Sequence, residues 1–283
     1  MNPVSEKRFD TYVQSSGVFG QVNSVYDLPN YHFMTGLVQA GIDYWLTPCL
    51  AVGGYAAYGY TSAGYDDGSH AGLNSFMFGL DATYRKGGYY LDAALGVSLN
   101  QYNLRRTIKF GSIDRTATSD PSGVQFNGLL AGGYDFHRGP WTFGPIVSAE
   151  FSTLDVASYT EQGANALNLK VGNDQAISFK TNVGAHVGYD IKLSNGVRIH
   201  PEIRVSLQHE FLNNDRNITA SFAQGNGPSF GFNVRHPARN TLITGVGVTV
   251  DFSDRWSGYV NYTGQLSSDQ TSHTITAGMK MSW

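Results

Sequence analysis

Charge is what this chain has least of. Only 14 % of its 283 residues are Asp, Glu, Lys or Arg, where a soluble surface normally needs about a quarter. The formal net charge of −3 leaves no basic footprint and argues against a nucleic-acid partner. The single cysteine, Cys49, excludes an internal disulfide framework and a multi-cysteine metal site. Eight histidines are scattered with no i,i+2 pair, so neither a metal site nor a cofactor is expected. Long apolar runs are missing as well. The longest uncharged stretch, Tyr44–Tyr65, is split by Thr47-Pro48 and alternates on both sides of the break, so it fails as a membrane helix. The opening "MNPVSEKRFD" is polar and lacks the apolar core of a signal peptide.

What the chain does have is alternation. Met34–Leu46 carries Val38, Ala40, Ile42 and Tyr44 on its even positions, and Leu50–Tyr60 carries Val52, Ala56 and Tyr58 likewise. The same period of two recurs through Phe76–Tyr84, Tyr89–Leu99, Phe126–Phe136, Trp141–Phe151, Ile177–Ile191, Val197–Phe211, Leu242–Phe252, Trp256–Leu266 and Ile275–Trp283. Successive side chains of a strand point to opposite faces, so each segment reads as a strand with one apolar side. With a less regular first strand near Val13–Val22 the count is about twelve, each long enough to cross a bilayer at a tilt. The expected fold class is all-β. The expected division is a linker stub over 1–12 and one barrel over 13–283.

The charged residues of these segments obey the same period. They are Asp43, Asp81, Asp92, Asp135, Glu150, Lys180, Asp190, Arg198, Glu202, Arg204, Asp251 and Lys280, and every one lies opposite the apolar row. Random placement would divide them between the faces, with odds of order one in a few thousand against this outcome. The polar face is crowded with Gly and Ser, while the apolar face is rich in aromatics. That combination suits an apolar face turned to lipid and a polar face turned to a lumen. These twelve residues are therefore expected to face the lumen.

Connectors alternate in character too. Thr47-Pro48, Lys86-Gly87-Gly88, Arg138-Gly139-Pro140, Ser194-Asn195-Gly196 and Ser253-Asp254-Arg255 have tight-turn chemistry. Between them lie the longer polar connectors 25–31, 63–72, 104–123, 155–175 and 212–239, with a short one at 267–272. Short turns on one rim and long loops on the other describe an outer-membrane barrel. Aromatics at segment ends supply two interfacial belts, with Tyr44, Trp45, Trp141, Trp256 and Trp283 among those near the tight turns.

The chain ends on "TAGMKMSW". Thr276, Gly278, Met281 and Trp283 fill the polar, glycine, hydrophobic and terminal aromatic places of the recognition signal of outer-membrane barrels. Together with "VQAGIDYWLTPCLAVGGYAAYGY", "GLDATYRKGGYYLDAALGVSLN" and "GVGVTVDFSDRWSGYVNYTG", this ending resembles the autotransporter β-domain, the translocator of type V secretion, over about residues 9–283. The resemblance implies a twelve-stranded, monomeric barrel in the bacterial outer membrane and an amino-terminal passenger. It also implies assembly by the barrel assembly machinery, which pairs with the terminal strand as a partner completes an open edge. The family's lumen-crossing linker helix would need more residues than precede the first strand, at about 1.5 Å of rise each. The alternative reading is a free-standing outer-membrane porin or enzyme barrel. His209, Glu210 and Asp215 near one rim are its best proteolytic candidates, though no second motif supports them. No enzyme activity is expected. Arg105, Arg106, Lys109 and Arg115 make the 104–123 connector basic, which suits either a solvated loop or lipopolysaccharide phosphates.

Overall fold

A computed structural model describes residues 8–23, 29–212, 217–225, 227–233 and 238–283. Among them, no helix is long and apolar enough to cross a membrane. Twelve strands build the wall of the molecule. They are β1 (Phe9–Val22), β2 (Tyr31–Thr47), β3 (Leu50–Tyr65), β4 (His70–Lys86), β5 (Tyr89–Phe110), β6 (Ser122–Tyr134), β7 (Trp141–Val156), β8 (Asp174–Tyr189), β9 (Arg198–Glu210), β10 (Asn240–Asp251), β11 (Trp256–Ser267) and β12 (Gln270–Ser282). Each pairs antiparallel with the next, and β12 pairs with β1, so the sheet closes on itself. Closure removes both edges, the one way a sheet can satisfy all its backbone groups in hydrocarbon. The all-β barrel reading holds.

The first strand begins at Phe9, so residues 9–12, assigned above to the linker stub, belong to the sheet. The reason is a partner rather than a pattern: Phe9 N donates to Trp283 O at 2.9 Å and Trp283 N donates to Phe9 O at 2.9 Å. Residues 1–7 lie outside the described residues.

The tight turns follow from local chemistry. Gly87 and Gly88 alone separate β4 from β5, with φ of 60° and 90°. A two-residue hairpin loop needs positive φ at both places, which glycine adopts without a Cβ penalty. In the turn from β2 to β3, Thr47 Oγ1 accepts from Cys49 N and Leu50 N. Ser253 Oγ does the same for Arg255 N and Trp256 N before β11.

The opposite rim departs from the loops expected there. The connector at 63–72 shrinks to Asp66–Ser69, because β3 and β4 run on beyond their apolar alternation. The 104–123 connector is an ordered hairpin: β5 continues to Phe110 and pairs with Ile113–Ser119. At 22 residues β5 is about twice the length that a tilted crossing needs, so its outer half stands clear of the membrane. Beyond the barrel, Tyr159–Thr160, Leu169–Val171, Asn217–Phe222 and Phe230–Asn233 form a second sheet of four strands.

The two faces of the wall differ sharply. Leu80 and Leu95 are 70 % exposed and Met34 and Leu207 66 %, values no water-soluble wall would sustain in such number. Among the described residues, no large side chain is fully buried. The apolar belt looks outward, where hydrocarbon is the solvent.

Candidate functional site: the barrel interior and its closing seam

The seam between β12 and β1 is as complete as its neighbours. Thirteen register partners run from Asp10↔Ser282 to Val22↔Gln270, against fourteen between β1 and β2. On the outer face the ring of Phe9 stacks on Trp283 with centroids 5.0 Å apart and packs against Tyr44, also at 5.0 Å. On the inner face Asp10, 6 % exposed, accepts from Trp45 Nε1 at 3.1 Å and stands 3.5 Å from Lys280 Nζ. Trp45, placed above in the lipid belt, thus directs its indole N–H to the polar face. A buried carboxylate is costly unless it is satisfied, and an indole N–H likewise seeks an acceptor.

Each residue of the proposed terminal signal meets a neighbouring strand. Thr276 Oγ1 and Ser16 Oγ share a hydrogen bond at 2.8 Å. Met281 O accepts from Thr11 Oγ1 at 3.4 Å, and Trp283 closes on Phe9. Gly278 lies beneath the ring of Tyr259, where a Cβ would come within 2.6 Å of the phenol.

That last relation recurs around the wall. Tyr12 covers Gly41, Tyr55 covers Gly79, and Tyr90 covers Gly133, each ring occupying the space of a missing Cβ on the next strand. These tyrosines share the face of the glycines, so the reading that gave aromatics to the lipid side was too simple. The signal was available as tyrosine in glycine-rich rows, but only register shows which glycine each ring covers. Their hydroxyls join a polar ladder: Tyr259 donates to Gln14, Gln14 Nε2 to Gln39 at 3.2 Å, and Gln39 Nε2 to Tyr12 at 3.0 Å.

Most of the twelve singled-out charges meet partners on this same face. Asp43 and Asp81 converge over Gly53, where any Cβ would strike the Asp43 carboxylate. Asp92 accepts from Thr83 and from Arg85 at 3.2 Å. His186, its side chain 7 % exposed, lies 3.0 Å from Asp135 and 3.4 Å from Glu202. Glu202 in turn holds Arg204 at 2.7 Å, and Asp190 holds His200 at 2.8 Å. Glu150 accepts from Asn182 at 3.0 Å. Arg198 and Asp251 face each other in register at the tight-turn rim. Lys180 stands in register between Glu150 and Glu210 without an ion pair to either.

The proteolytic candidates are not brought together. Glu210, 3 % exposed, accepts from Phe179 N and Leu212 N, both at 2.9 Å, and from the Ser178 hydroxyl. That carboxylate is committed to two backbone amides and one hydroxyl. His209, on the other face, pairs with Asn240 at 2.8 Å and packs on Phe211. Asp215 lies outside the described residues.

The basic connector is also corrected. Arg106 donates twice to Glu161, at 2.8 and 2.5 Å, and once to Leu167 O at 3.0 Å, while Leu169 N donates to Glu161 at 2.8 Å. Glu161 is 7 % exposed. Its hydrogen bonds hold the Arg106 guanidinium above its ordinary range, and burial pushes the nearby Tyr159 hydroxyl up. Arg115 donates to Ala164 O at 3.0 Å and Lys109 pairs with Asp114 at 3.4 Å. Three of the four cations therefore hold protein groups. Ile108, Ala117, Ala164 and Leu167 form a small apolar cluster beside them.

A closed antiparallel barrel of twelve strands, apolar outside and polar within, defines a protein of the bacterial outer membrane. The Autotransporter beta-domain family matches residues 11–263, and the chain belongs to that family. It is an outer-membrane translocator barrel. Its fold is similar to the translocator domain of autotransporter NalP from Neisseria meningitidis, with a TM-score of 0.77 at 13 % identity over 99 % of this chain and 90 % of that one. The beta domain of the Bordetella autotransporter BrkA gives 0.72 at 20 % identity, over 98 % and 100 %. Among curated proteins, the probable autotransporter YpjA of Escherichia coli is 25 % identical over 166 residues, 58 % of this chain and 10 % of that protein. Esterase EstA of Pseudomonas aeruginosa is 29 % identical over 121 residues, 41 % of this chain and 19 % of that protein. The chain thus spans a small fraction of these relatives' length.

Proposed function

We propose that this barrel anchors an amino-terminal passenger in the outer membrane and serves its export to the cell surface. The observation that carries the reading is the closed wall with a tyrosine-, glutamine- and charge-lined interior. A polypeptide passing such a wall exchanges hydrogen bonds with it instead of losing them. The residues ahead of Phe9 would then lead from the passenger into β1. The twelve charges opposite the apolar rows would line the path, and the short-turn rim would face the periplasm. Thr276, Gly278, Met281 and Trp283 would present the last strand to the barrel assembly machinery, which adds its own edge to an unpaired one. The barrel works as a monomer and carries no catalytic group. An esterase activity, as in the name of one relative, would reside in a passenger. Among the described residues, Arg105 is the one exposed cation of the basic hairpin with no bonded partner, and it would be the remaining contact for lipopolysaccharide phosphates.

A reporter domain fused ahead of residue 9 tests this. External protease should remove the reporter from intact cells while leaving the barrel, and the reporter should remain periplasmic when the last three residues are deleted. A reporter retained inside by a correctly inserted barrel would overturn export and favour a free-standing porin.

A further inference from the structure

Among the described residues, the outward face carries a depression that the belt of large side chains does not fill. It has a volume of about 450 Å³ and straddles the closing seam. Register defines its floor. One row of outward positions runs Val260, Ala277, Ser15, Val38 across β11, β12, β1 and β2, so two small side chains lie side by side between two valines. One row nearer the tight turns is Gly258, and its missing side chain is partly replaced by the ring of Phe252, 3.1 Å from where a Cβ would stand. Ala277 and Ser15 are both exposed.

We propose that this depression is a lipid site that holds one acyl chain of a phospholipid from the periplasmic leaflet. The occupant follows from position. The depression is continuous with the hydrocarbon-facing belt, so an apolar chain is what surrounds it. From the row of Val260, Ala277, Ser15 and Val38 its lining runs down to Gly258 and Phe252 at the short-turn end, which in outer-membrane barrels is periplasmic. Lipid A, confined to the other leaflet, does not reach it. The gain is dispersion: lining atoms of a notch have no partners unless something enters, and a fitted chain makes many weak contacts at once. A lodged chain also lies across the β12–β1 hydrogen bonds.

The test compares two tryptophans at the same rim, Trp256 beside the depression and Trp141 across the barrel, each kept alone by changing the other three to phenylalanine. In nanodiscs containing a small fraction of acyl-brominated phosphatidylethanolamine, Trp256 should be quenched at about three- to tenfold lower bromolipid fraction than Trp141, as one held chain would give. Ala277→Phe fills the floor and should erase the difference, and Ser15→Leu serves if Ala277→Phe does not fold by heat-modifiable migration. Equal quenching of the two wild-type reporters overturns the proposal whatever the variants do. So does a difference that survives filling. Native mass spectra after release from mixed phosphatidylethanolamine and lipid A should show the phospholipid retained. Retention of lipid A in its place overturns the leaflet assignment and the proposal with it.

Discussion

The indole of Trp283 lies on the ring of Phe9, planes 22° apart, so the last residue of the chain is packed against the first residue of its first strand. Aromatic pairs of this kind contribute about 0.5–1.5 kcal/mol beyond their area. Trp283→Ala should lower the yield of heat-modifiable barrel in the outer membrane, and removal of Met281–Trp283 should lower it further, with synthesis unchanged. Normal yield and migration for both variants would reject a role for this end in closure.

Asp10 sits behind that stack with Trp45 and Lys280 as partners. Its side chain is 9 % exposed and that of Lys280 44 %, so the two ends of the pair are not equivalent. Asp10→Ala strands an indole N–H and a cation and should cost about 1–3 kcal/mol in urea unfolding from lipid. Lys280→Ala, losing a half-exposed partner, should cost under about 1 kcal/mol. A larger loss for Lys280 would show that the cation has another role.

Glycines of the wall should separate into two classes. A Cβ on Gly144 would fall against the Tyr134 backbone carbonyl, whereas one on Gly36 meets nothing within 4 Å. Gly144→Ala should destabilise by roughly 1–3 kcal/mol through forced backbone movement. Gly36→Ala should be close to neutral. Equal effects would mean that chain entropy, not contact, decides both.

Outside the membrane, Arg106 and Glu161 tie the 157–173 segment to the β5 hairpin. Arg106→Met leaves a buried carboxylate unpaired, a change that costs about 3–5 kcal/mol in full burial and less here, since Arg106 is 38 % exposed. Limited proteolysis on whole cells should cut 157–173 much faster in the variant, while the membrane-embedded part keeps its migration. Unchanged cutting would show that the apolar cluster alone holds the segment.

Neighbouring positions on β5 test the facing. Leu95 is 70 % exposed in the outward belt, and Ala94 stands beside Asp81 in register. Leu95→Arg should cost about 2–4 kcal/mol, because the guanidinium must be desolvated or must draw water into hydrocarbon. Ala94→Arg keeps its hydration and gains an acid, so folding in bilayers should change little. The reverse order would invert the faces of the wall.

The architecture was legible in the chain because a strand writes its two environments into alternate residues. Rows such as Val246, Val248, Val250 and Phe252 against Gly245, Gly247, Thr249 and Asp251 state both faces at once. Turn glycines and the aromatic ending needed only local chemistry. The tertiary structure alone decided what depends on register between distant segments. Phe9 finds Trp283, Tyr12 finds Gly41, and Ala277 and Ser15 come together at the seam because strands far apart in sequence align at one particular offset. The ordered hairpin beyond Leu104 was hidden for a related reason. Above the membrane the alternation of apolar and polar residues stops, and Arg106 is held in place by Glu161, 55 residues away, through a contact with no period to betray it.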